Sequence, residues 1–157
     1  MATIPVLYDM QTTFFGSALE GISDSDAHSR LDSKANHIAW LAGSLVQQRY
    51  ELAAYLNKST SCKQGADDLF KDNQGIKDGL SYPSLDQFTK DWKKISPVLR
   101  DLLVNASDEQ LNKNIEMPGM AFPLFDMITF VIYREANCIG QIALWRRLLG
   151  YDAMNYM

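Results

Sequence analysis

Histidine and cysteine are scarce, two of each in 157 residues. An imidazole-built metal centre or a histidine acid–base pair therefore has little to draw on. The two cysteines stand in unlike settings, Cys62 in the polar segment "NKSTSCKQGADD" and Cys138 among apolar neighbours. Two free thiols are expected rather than a disulfide. Neither sign of charge is in large excess. The net charge of −4 supplies no general drive toward nucleic acid, whose recognition leans on lysine and arginine neutralising phosphates. Long apolar runs are missing too. The longest weakly charged stretch, "PGMAFPLFDMITFVIY" (118–133), contains Asp126 and two prolines and is shorter than the roughly 20 residues a membrane span needs. The first residues, "MATIPVLYDMQTTFF", lack the basic start and sustained apolar core of an export signal. The expectation is a cytoplasmic protein with neither a nucleic-acid nor a membrane partner.

Convincing period-2 strands are also lacking. What the chain has instead is helical periodicity, in four long segments and at a length suited to one domain, 1–157. The first segment, "IPVLYDMQTTFFGSALEGI", places Leu7, Met10, Phe14, Ala18 and Ile22 near one face. The second, "SKANHIAWLAGSLVQQRYELAAYLN", carries Ile38, Leu41, Leu45, Gln48, Leu52 and Tyr55 on one stripe, widened by Trp40, Gly43 and Val46. Residues 57–83 are polar and broken by Gly65, Gly75 and Gly79, which predicts a crossover with a short helix around 66–71. Ser84 reads as the N-cap of a third helix with an apolar face of Leu85, Phe88, Trp92, Ile95, Leu99, Leu102 and Leu103. Pro97 should kink or divide it near Ile95. A linker or short hairpin with a "MPGM" turn precedes a last helix from about Pro123 to Leu149. Gly150 stops it, and Arg146 and Arg147 favour its dipole. The fold class is therefore all-α, a four-helix bundle with a long crossover between the second and third helices.

The stretch "FVIYREANCIGQIALWRRLLG" raises the functional question. It puts Arg134, Cys138 and Gln141 on one face of the most apolar helix. An inward-pointing arginine needs partners; Glu20, Glu51 and Asp126 are candidates, and Ser44 can accept one of its hydrogen bonds. A thiol beside a cation is a candidate nucleophile, yet a packed cysteine is the commoner reading. The tryptophans and their aromatic neighbours, Phe14, Phe88 and Tyr133 among them, read as core before they read as a ligand box.

Two of these helices carry a resemblance. "NHIAWLAGSLVQQRYELAAYL" is similar to the second helix, and "REANCIGQIALWRRLLG" to the last helix, of the DinB/YfiT-like family of helical bundles, named for DNA-damage-inducible proteins. Known members commonly hold a divalent metal, often zinc or nickel, through three histidines. The positions that match those ligands here are Ser44, Arg134 and Cys138, none of them histidine. The resemblance thus implies the scaffold of the family without its metal, and no cofactor. It also implies a vestigial pocket, with His37, Trp40 and Gln141 as further candidates to line it. The function expected is that of a small-molecule-binding or interaction protein, stress-induced and homodimeric. The alternative is a thiol-dependent transferase using Cys138, Arg134 or an atypical metal site.

Overall fold

The computed structural model describes residues 3–57 and 62–156; part of the expected crossover, and both ends of the 1–157 domain, lie outside them. The elements are α1 (Thr3–Leu19), α2 (Asp24–Ala27), α3 (Ile38–Leu56) and α4 (Asp67–Phe70), which runs into a 3-10 turn at Lys71–Asn73. Then come α5 (Leu85–Asn105), α6 (Asp108–Asn112), the strands β1 (Asn114–Met117) and β2 (Met120–Pro123), and α7 (Leu124–Leu148). Among the described residues the protein is all-α apart from one antiparallel hairpin, in which Asn114 pairs with Pro123 and Met117 with Met120. α1 and α3 each pack against both α5 and α7.

α5 forms where its sequence separates apolar from charged residues most cleanly. Ser84 caps it, accepting a hydrogen bond from the Gln87 amide at 3.3 Å, and Leu85, Phe88, Trp92, Ile95, Leu99 and Leu103 are buried. Pro97 does not divide it. The helix continues through the proline, which lies on the exposed face. There the carbonyl one turn back can turn to water.

α1 departs from expectation by one position. Tyr8, Gln11, Phe15, Ala18 and Leu19 are buried, while Leu7 and Met10 face solvent. The reason is polar: Tyr8 and Thr12 are drawn inward by a buried cation. Arg49 of α3 is fully buried and forms a two-pronged ion pair with Glu135 of α7, Nε to Oε1 at 2.6 Å and Nη2 to Oε2 at 2.7 Å. Its Nη1 lies 2.8–2.9 Å from the hydroxyls of Tyr8, Thr12 and Ser96. The guanidinium also lies 3.4 Å above the Trp92 ring, and Trp92 itself stacks on Phe15. One side chain therefore joins all four long helices. Fixed partners on every side are what make a buried charge tolerable.

α3 is buried almost all round, because α5, α7 and the crossover cover it. The crossover is held by side-chain amides: Gln64 donates to the Gly43 carbonyl at 3.1 Å and to Gln47 at 2.7 Å. Gln47 in turn donates to Glu51 and Asp67. Gly43 permits this approach. A Cβ there would stand 2.2 Å from the Phe70 ring and 2.7 Å from that of Phe88.

The hairpin turns at Gly119, whose φ of +82° suits glycine. It also serves α7, since the Leu124 amide donates to the Lys113 carbonyl at 2.9 Å. At the other end of α7, Arg146 does more than favour the dipole of its own helix. Its Nη1 donates to the Ala18 and Glu20 carbonyls at 2.8 and 3.0 Å, closing the C-terminus of α1.

Candidate functional site

Ser44, Gln48 and Glu51 lie at i, i+4 and i+7 on α3, so they line one side of that helix. Arg134 meets this row from α7. Its Nη2 donates to Ser44 Oγ at 2.5 Å and its Nη1 to Gln48 Oε1 at 2.8 Å. Of the carboxylates suggested by sequence, Glu51 lies close enough to feel the guanidinium. Among the described residues neither Glu20 nor Asp126 pairs with it, and no ion pair to Arg134 forms. The arginine is therefore held by two neutral acceptors.

Beside it are two adjoining cavities between α3, α7 and the chain that links α3 to α5. The smaller, about 230 Å³, is lined by Trp40, Ser44, Phe70 and Arg134 among others. The larger, about 630 Å³, is lined by Leu52, Tyr55, Phe122, Met127 and Val131, with Asp72 and Asp126 also on its wall. Gln48, Glu51, Asn73 and Phe130 line both, so the two form one site with a polar and an apolar part. The hairpin brings Phe122 and Met120 to it, and the turn after α4 brings Asn73. Burial pushes the Glu51 carboxyl above its ordinary range, against the Gln47 amide that donates to it. Trp40 is buried, and its indole Nε1, closed to solvent, has no hydrogen-bond partner among the described residues.

The other sequence candidates stand elsewhere. Cys138 is buried one turn beyond Arg134 and lines neither cavity. Burial pushes its thiol up, outweighing the pull of the Arg134 cation toward thiolate. His37 caps α3, its Nδ1 accepting the Trp40 amide at 3.0 Å, and packs edge-on against Tyr82. Burial first, then the nearby His28 and Arg30, bring its pKa down to about 4. A protonated Nδ1 could not accept that bond. Gln141 faces solvent and bonds Asn137 of its own helix. The sequence candidates that come together are Trp40, Ser44 and Arg134. Gln48, Glu51, Phe122 and Phe130 complete the site. The spacing of Gln48 and Glu51 from Ser44 was a usable signal; nothing local marked the hairpin residues.

Ser44, Arg134 and Cys138 do not fit a divalent metal. A guanidinium offers no lone pair and repels a cation, and here it occupies the hydroxyl of Ser44 directly. One buried thiol cannot replace three donors. Among the described residues no three histidine, cysteine, aspartate or glutamate side chains converge as a metal site requires. What the arrangement can do is offer N–H donors to an acceptor and an apolar wall to whatever carries it.

No protein-family model matches the chain, and no curated protein matches it. Among the described residues no helix is long and apolar enough to cross a membrane.

Proposed function

We propose that this chain is a metal-free small-molecule-binding protein of the DinB/YfiT-like kind, a four-helix bundle whose ligand lies between α3 and α7. The observation that carries the reading is the two-part cavity, with a guanidinium held by neutral side chains in one part and aromatic and methionine side chains in the other. Its size falls in the range of small-molecule sites, roughly 300–1,000 Å³. The resemblance of the second and last long helices adds the scaffold and induction under DNA damage to the proposal. A fragment library read by amide chemical-shift perturbation tests it. Saturable shifts should cluster on Gln48, Leu52, Phe122 and Phe130 and vanish in Gln48→Trp, which fills the cavity. Shifts that cluster elsewhere, or none, contradict it.

The chain is also proposed to pair with a second copy through α7, whose outer face exposes Phe130, Tyr133, Leu144 and Leu148. Two such helices packed antiparallel would set Phe130 against Leu144, and Asp126 near Arg147 of the other copy. Light scattering giving the monomer mass at micromolar concentration would count against pairing. The transferase reading has less support. Its thiol, Cys138, is buried with no histidine base beside it, and burial disfavours the thiolate.

A further inference from the structure

Arg134 has a property that narrows the ligand class. A guanidinium has five N–H groups; Ser44 and Gln48 take one each, which leaves three to donate. Arg134 lines the smaller cavity. A cation that can only donate calls for an anionic oxygen. The adjoining cavity differs in character. Phe122, Met127, Phe130 and Val131 give it an apolar wall; Asp72 and Asp126 are exposed, where water screens their charge, and half-buried Glu51, which lines both cavities, is pushed toward its neutral form by burial.

We propose that the α3–α7 cavity binds a monocarboxylate with an apolar body. The carboxylate is held by the free N–H groups of Arg134, and the body lies against Phe122, Met127 and Phe130. The inference deepens the binding-protein reading and rests on it. Ser44 and Gln48 serve the same end: they fix the guanidinium through neutral bonds, and Glu51 close by makes no ion pair with it. Phe130 and Gln48, which line both cavities, mark where head and body join.

The test is isothermal titration of the whole protein with three molecules that share one body: 4-phenylbutyrate, 4-phenylbutanol and 4-phenylbutylamine. The carboxylate is expected to bind at least ten times more tightly than the alcohol, and the amine least. Arg134→Gln should erase that tenfold preference. The wild-type ranking needs no variant, so a misfolded substitution does not rescue the inference. Alcohol or amine binding as well as the carboxylate, at a site blocked by Gln48→Trp, would overturn the carboxylate class and leave the binding reading standing. No binding of any of the three, together with no fragment shifts in the cavity, would overturn both.

Discussion

Arg49 and Arg134 are the same residue in two neighbouring parts of one molecule, and their surroundings differ in every respect that matters to a charge. Arg49 is fully enclosed, fork-paired to Glu135, surrounded by hydroxyls from α1 and α5 and stacked on Trp92. Arg134 precedes Glu135 in sequence but points along another side of α7. It reaches two neutral acceptors and adjoins open volume. The first arginine is enclosed on every side; its work is to hold four helices in one arrangement. The second is positioned and still has donors to spare. The contrast separates a charge that specifies a fold from one that can recognise a ligand.

Breaking the closed site should have the largest effect. Arg49→Met leaves Glu135 as an uncompensated charge in the core, and a loss of about 3–5 kcal/mol in denaturant unfolding is expected. Adding Glu135→Leu should recover much of that loss, because the isolated charge is then gone. A double variant no more stable than the single would show that the network supplies something other than charge compensation.

A smaller effect belongs to His37, whose neutral ring caps α3. His37→Ala should cost about 1 kcal/mol, as lost caps do. Its folded pKa of about 4 lies below the ordinary value of 6.5, so between those values the unfolded chain binds more protons than the folded one. Stability should therefore rise with pH across that window and fall as pH drops through it. His37→Asn, which keeps a cap but cannot titrate, should flatten that part of the profile. An unchanged slope would place its origin in other groups.

The open site should matter least to folding. Arg134→Gln can still contact Ser44 or Gln48, and its cost is expected below about 1 kcal/mol, within the range of partly exposed polar substitutions. Metal is expected to contribute nothing. The purified protein should hold no stoichiometric zinc or nickel, and a chelator should leave its Tm unchanged. Elemental analysis finding one tightly held metal per chain, lost in Cys138→Ser, would contradict that. Native thiol labelling gives a companion check: exposed Cys62 should react first and Cys138 only on unfolding.

How much of this was legible in the sequence follows the same division. α5 could be read closely, cap and face together, because it has one buried side and one charged side. α1 was read one position out, since a template that counts only apolar residues favours Leu7 and Met10 over Tyr8 and Gln11. Those two are buried for their polar ends as much as for their surface. α3 hides its register because it is covered on nearly every side, so Gln48 and Tyr55 looked like members of a core stripe when they line the cavity. Arg49 and Glu135 lie 86 residues apart, and no local pattern links them. The meeting of Ser44 with Arg134 was legible through the resemblance of two helices. The same resemblance placed Cys138 and Gln141 beside it; Cys138 is buried outside both cavities and Gln141 faces solvent, because side-chain direction around one helix separates them.

The central claim is that Arg134 is a recognition charge and not a structural one. The most direct measurement is the Tm of wild type and Arg134→Gln, each with and without 4-phenylbutyrate at about a hundred times its dissociation constant for wild type. Without ligand the two should melt within a few degrees of each other. With it, wild type should rise by about 5–10 °C, the shift expected from roughly 2.7 kcal/mol of linked binding in a chain of this size, while the variant should rise far less. Equal shifts, or a variant that loses as much stability as Arg49→Met, would contradict the account.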